Sequence, residues 1–64
     1  MALTAEQKKL FESEIYSVLN DIEGNDDHDQ RVELHIYLNG IKTSLEIMGY
    51  RFVYDNLGVR LEKF

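Results

Sequence analysis

Apolar residues recur every three or four positions along the first third of the chain. The recurrence starts just after Thr4. Thr4 and Gln7 have the types and spacing of a capping box, in which each side chain accepts the other residue's backbone N–H. Charged residues occupy the remaining sides, as on an amphipathic helix. The pattern predicts a helix over residues about 5–23, ended by Gly24 and Asn25. Its apolar face comprises Phe11, Ile15, Val18, Leu19 and Ile22.

The stretch from Arg31 to Met48 fits two patterns. As a helix it has one apolar face, and as a hairpin it has alternating apolar residues on both sides of Asn39-Gly40. We favour the hairpin, because both residues of an Asn-Gly pair tolerate the positive φ of a type I′ turn. In a helix interior, Gly40 costs about 0.8–1 kcal/mol relative to alanine. The helical face comprises Leu34, Leu38, Ile41, Leu45 and Met48, and the alternating set comprises Val32, Leu34, Ile36, Leu38, Ile41, Thr43, Leu45 and Ile47.

The alternation continues through two further turns. We predict a second turn at Met48-Gly49 and a third over residues 55–58, where Gly58 takes the left-handed conformation. The third turn sets the pairs Tyr54–Val59, Phe52–Leu61 and Arg51–Glu62.

These elements predict an α+β fold in one domain over residues 1–64. An N-terminal helix packs on a four-stranded antiparallel β-meander over residues about 31–63, and an acidic turn over residues 24–30 joins them. One pair disagrees with this register, because it places Glu33 opposite Glu46, a like-charge contact. The alternative is two helices plus a C-terminal β-hairpin.

Charge is unevenly distributed along the chain, whose net charge is −5. Residues 1–30 carry eight acids and two lysines, whereas residues 31–64 carry four acids and five bases. The acidity opposes direct binding of nucleic acid, which requires Lys and Arg to neutralise phosphates. The longest apolar runs are two or three residues, so we expect no membrane span. With no secretory signal visible, we expect a cytoplasmic location.

Residue types that carry catalysis or bind metals do not form a recognised motif. The Asp26–Asp29 segment lacks the glycine and glutamate spacing of a calcium loop. His28 and His35 are not at metal-ligand spacing, and neither Ser13 nor Ser44 lies in a nucleophile elbow. We therefore expect no enzyme activity, no cofactor and no metal. The alternative function is a small-ligand or metal-binding domain that uses the Asp26–Asp29 loop.

The predicted sheet is too wide for its helix, because four strands span about 19 Å and one helix about 10 Å. We therefore expect a homodimer, formed through the uncovered face or by pairing of edge strands. The function we expect is that of a small acidic protein-interaction or regulatory module. A more specific version of this hypothesis is a phage-type inhibitor that imitates nucleic-acid charge. It binds another protein through its acidic helix surface or an open sheet edge. The expected contact residues are Glu12, Glu14, Asp21 and Glu23 on the helix, and Arg31, His35 and Tyr37 on the first strand, an edge.

Overall fold

The computed structural model describes residues 2–64 and contains four elements. In chain order they are helix α1 (Ala5–Gly24), helix α2 (His28–Ile47), strand β1 (Tyr50–Asp55) and strand β2 (Gly58–Lys63). The strands form a two-stranded antiparallel sheet, and both helices pack on one of its faces. The α+β class is confirmed, but the prediction of one helix on a four-stranded meander is wrong.

Helix α1 forms as its sequence predicts. The Gln7 backbone N–H donates to Thr4 Oγ1 at 3.1 Å, and the Thr4 N–H donates to Gln7 Oε1 at 3.0 Å. The capping box is therefore complete. The helix ends at Gly24, with Asn25 as its C-cap, and its buried residues are Ile15, Val18 and Ile22.

Residues 31–47, which we expected to form two strands, lie in α2 instead. The helical face identified in the sequence packs inward, and Leu45 at its centre is 0% exposed. Asn39 and Gly40 lie on the exposed side of the helix. The cost of about 0.8–1 kcal/mol for Gly40 is offset by the N-cap at Asp27, because a cap of this kind contributes about 1 kcal/mol. The alternative of two helices plus a hairpin is the observed arrangement.

The predicted acidic turn over residues 24–30 is shorter than expected, because its second half starts α2. Only residues 25–27 lie between the helices. Asp27 is the N-cap of α2, and its Oδ1 accepts hydrogen bonds from the N–H groups of Asp29 at 3.0 Å and Gln30 at 3.4 Å. Such a cap contributes about 1 kcal/mol to a helix. Part of the predicted acidic turn therefore stabilises the helix that follows it.

The predicted second turn at Met48-Gly49 is the C-terminal end of α2. Gly49 has a φ of +89°, and its N–H donates to the Glu46 carbonyl at 3.0 Å. A glycine in this conformation is a common way for a helix to end. The Gly49 carbonyl also accepts the Phe64 N–H at 3.0 Å, so this residue links the end of α2 to the open end of the hairpin.

The predicted third turn and its register are confirmed. The Leu57 N–H donates to Asp55 Oδ1 at 2.9 Å, and Gly58 has a φ of +109°. This hydrogen bond, followed by the Arg60 guanidinium at 2.8 Å, lowers the pKa of Asp55. The observed pairs include Tyr54–Val59, Phe52–Leu61 and Arg51–Glu62. Ion pairs on the sheet face away from the helices join Arg51 to Glu62, Arg60 to Asp55 and Arg60 to Glu62.

The core lies between the helices and the sheet, and it is small. Ile15, Leu45 and Tyr50 form its centre, one from each of α1, α2 and β1. The Leu3 N–H donates to the Tyr50 hydroxyl at 3.1 Å, which ties the segment before α1 to the sheet. Lys8 Nζ lies 5.5 Å from the centroid of the same ring, within cation–π distance. Tyr50 therefore connects the sheet to the segment before α1 and to the start of α1.

Candidate interaction surfaces

Glu12, expected on the acidic helix surface, supports the sheet. Its carboxylate accepts the Leu61 N–H at 2.9 Å. Because Phe64 and Gly49 are hydrogen-bonded across the hairpin, the alternation of antiparallel pairs makes Leu61–Phe52 a non-hydrogen-bonded pair. The Leu61 N–H therefore points away from β1. The Glu12 carboxylate occupies the place that the carbonyl of a third strand would take.

We expect Glu12→Ala to destabilise the protein by about 1–3 kcal/mol, because it leaves the half-buried Leu61 N–H without an acceptor. Glu12→Gln retains a side-chain carbonyl at the same position and is expected to lose less than half as much. Urea denaturation followed by circular dichroism measures both changes. Faster hydrogen exchange of the Leu61 amide in Glu12→Ala would show that the loss of stability arises at this hydrogen bond. Equal stability of the two variants would contradict the role of Glu12 as its acceptor.

The other acids predicted on the α1 surface lie beside tyrosines or line a cleft. The Tyr37 hydroxyl donates to Glu14 at 3.0 Å, and this hydrogen bond raises the pKa of Tyr37. Glu23 lies 3.4 Å from the Tyr54 hydroxyl, and its negative charge raises the pKa of Tyr54. Asp21 lines a cleft of about 360 Å³ between the two helices. Part of the acidic surface therefore serves contacts within the chain.

Arg31, His35 and Tyr37 lie on α2, so the strand-addition site predicted at an edge strand there is wrong. Arg31 and His35 are one helical turn apart, and both are exposed. Tyr37 lies towards α1, where it meets Glu14. Among the seven predicted contact residues, the structure joins Glu14 and Tyr37 by a hydrogen bond. A role of the seven in binding a partner stays a prediction.

A groove of about 850 Å³ lies between α1 and the hairpin turn. Tyr16 and Tyr54 meet in it edge to face, with ring centroids 6.4 Å apart and an angle of 60° between the rings. Both rings are about half exposed, and Glu23 and Lys9 contribute to the groove walls. We name these four residues and the adjoining turn the tyrosine groove. The sequence contains no local signal that joins Tyr54 to Tyr16.

Helix α2 carries a second line of residues on the side away from the core. We name Val32, Ile36, Thr43 and Ile47 the outer stripe. All four are exposed, and Ile36 and Ile47 are 68% and 82% exposed. At 100° per residue they fall within about 60° of one another around the helix axis. A helix with apolar side chains on two faces has surface for a second packing partner.

The Asp26–Asp29 segment, the alternative ligand or metal site, acts mainly as a helix cap. Asp27 binds the first N–H groups of α2, and its own N–H donates to Asn25 Oδ1 at 2.9 Å. Among residues 2–64, no group of three or more His, Cys, Asp or Glu side chains is placed to hold a metal ion. The geometry therefore gives this alternative no specific support.

Within the described part of the chain, neither helix has the length and apolar composition needed to cross a membrane. No protein-family model, no curated protein and no solved structure matches the chain. The inferences that follow therefore depend on the residues and their geometry.

Proposed function

We propose that the chain is a small acidic protein-interaction module that binds a positively charged segment of another protein in the tyrosine groove. The observation that carries the proposal is the Tyr16–Tyr54 pair, whose half-exposed rings stand beside the Glu23 carboxylate. Aromatic faces attract Arg and Lys side chains, and a nearby carboxylate adds to the attraction. The groove thus offers an arginine both a ring surface and an opposite charge.

The charge distribution supports a basic partner. Residues 1–30 carry eight acids against two lysines, and they supply one wall of the groove through α1. On the other wall, Asp55 is paired with Arg60. Helix α1 supplies Glu12 and Glu23 against Lys9, so its side of the groove carries a net negative charge. A positively charged segment is attracted to this side of the molecule before it makes contact.

A hexa-arginine amide peptide tests the proposal. We expect it to shift the ring proton resonances of Tyr16 and Tyr54 in NMR titrations at about 0.15 M salt, where distant charges are screened. Glu23→Lys is expected to weaken binding about three- to tenfold, since it replaces an attractive charge at the rings with a repulsive one.

Glu33→Lys is the matched control, because it changes the net charge equally but lies in the cleft on the other side of α1. It should weaken binding less than twofold. Equal weakening by both variants would show that the peptide responds to net charge alone. Ring resonances that do not move would show that it binds elsewhere or not at all, and either result would overturn binding in the tyrosine groove.

We also propose that the module is a homodimer. Residues 2–64 form a two-stranded sheet in place of the predicted four-stranded one. The support now comes from large apolar side chains that remain exposed on the helices, including those of the outer stripe. Contiguous apolar surface on a small protein is typically covered by a partner. The cytoplasmic location and the imitation of nucleic-acid phosphates stay predictions.

A further inference from the structure

The outer stripe has a spacing that reads the same in both directions. Its members are separated by four, seven and four residues, so they lie symmetrically about the midpoint between Asn39 and Gly40. Two copies of α2 packed antiparallel about that midpoint place Val32 opposite Ile47 of the other copy, and Ile36 opposite Thr43. A two-fold interface requires this kind of surface, because the same residues must serve both sides.

Gly40 lies at the centre of this symmetry, and among the residues that the structure describes no contact requires a glycine there. Beyond the adjacent residues and the backbone of its own helix, a Cβ at Gly40 would have no atom within 4 Å, and the φ of Gly40 is outside the left-handed region. Glycine is also among the least favourable residues in a helix interior. At the midpoint of an antiparallel helix pair, however, a residue without a side chain lets the two backbones approach closely.

Charges beside the stripe are complementary in the same arrangement. Arg31, His35, Lys42 and Glu46 project on one side of the stripe at 100° per residue, and all four are exposed. In a two-fold antiparallel pair each side meets its own copy, so Glu46 of one chain falls between Arg31 and His35 of the other. Glu33 projects on the opposite side of the stripe, so Glu33 of one chain lies away from Glu46 of the other.

Repulsion between identical acidic chains also favours α2 over α1. Helix α2 carries Asp29, Glu33 and Glu46 against Arg31 and Lys42, whereas α1 carries five acids against two lysines. We propose that two copies of the chain associate through the outer stripe of α2 as an antiparallel two-fold helix pair centred between Asn39 and Gly40. This inference rests on the proposed homodimer and names its interface.

Sedimentation equilibrium between about 1 μM and 1 mM tests the interface, because a single helix face is at the small end of stable interfaces. We expect the wild-type mass to rise from one chain to two. The Ile36→Glu variant should keep the mass of one chain at every concentration, since it places two carboxylates inside the helix–helix interface. Leu10→Glu is the matched control on α1, where Leu10 is 66% exposed, and it should dimerise like the wild type.

The outcomes separate the two proposals. A wild-type mass of one chain at every concentration overturns both the homodimer and its interface. If the wild type and Ile36→Glu dimerise equally, the homodimer stands and the α2 interface is overturned.

Single cysteines test the register, because the chain has no cysteine of its own. The two copies of residue 39 are one residue apart along the axis, about 1.5 Å, whereas the copies of residue 35 are nine residues apart, about 14 Å. Under mild oxidation we expect Asn39→Cys to form a disulfide-linked dimer and His35→Cys to remain uncrosslinked. Cross-linking of His35→Cys without Asn39→Cys would overturn the proposed register.

Discussion

Leu45→Ala is expected to destabilise the protein by about 2–5 kcal/mol, because it removes a fully buried side chain and leaves a cavity. In a chain of this size without disulfides the core rarely supplies more than about 3–5 kcal/mol of stability. Leu45 also packs with Ile15 and Tyr50, so its loss reaches α1 and the sheet together. We therefore expect a largely unfolded population at room temperature, measured by circular dichroism and urea titration.

Leu10→Ala is the control for this prediction, since it makes the same chemical change on α1 at an exposed position. It should change the free energy of unfolding by less than about 0.5 kcal/mol. Both variants should be compared at one protein concentration, because self-association adds to apparent stability. A Leu45→Ala protein as stable as Leu10→Ala would contradict the core described above.

Gly49→Ala is expected to cost about 1–2 kcal/mol, because an L-residue is strained at the positive φ of this position. A Cβ at Gly49 would meet no atom within 4 Å, so the cost comes from backbone conformation and not from a clash. The affected residue joins the end of α2 to the hairpin through hydrogen bonds with Glu46 and Phe64. Thermal unfolding measured by circular dichroism reports the loss.

Two controls separate strain from other effects of an added methyl group. D-alanine at position 49, introduced by chemical synthesis, adopts positive φ readily and should retain wild-type stability. Gly24→Ala adds the same methyl group at the end of α1, where φ is outside the left-handed region, and should be neutral or slightly stabilising. Equal losses from L- and D-alanine at position 49 would contradict the strain argument.

The sequence predicts α1 and the final hairpin because each is specified locally. The capping box fixes the start of α1, and Asp55 and Gly58 fix the turn and hence the register. These signals involve residues a few positions apart, and no distant contact is needed to interpret them.

Helix α2 was mispredicted because its two apolar faces together imitate a strand. The core face and the outer stripe lie on opposite sides of the helix, and combined along the chain they place an apolar or threonine residue at nearly every second position. In addition, Asn39-Gly40 has the sequence of a hairpin turn, although both residues lie inside α2. Two signals indicated the helix: Asp27 has the type preferred at an N-cap, and the meander set Glu33 opposite Glu46.

The candidate sites were only partly predictable. Acidic composition indicated which face of the molecule carries negative charge, but not that Glu12 and Glu14 bind groups of the same chain. The Tyr16–Tyr54 contact joins α1 to β1, and the helix position that brings them together depends on the packing of α2. Such a contact follows from the whole fold and has no local sequence signature.

The Glu12 contact with β2 limits how copies of this protein can polymerise. A two-stranded ribbon with both borders open can add neighbours on each side and grow into a fibril. Here a carboxylate already occupies the middle of one border, at Leu61. Adding a strand of another copy at this border would require displacing Glu12 from the Leu61 N–H, so the contact disfavours fibril growth through β2.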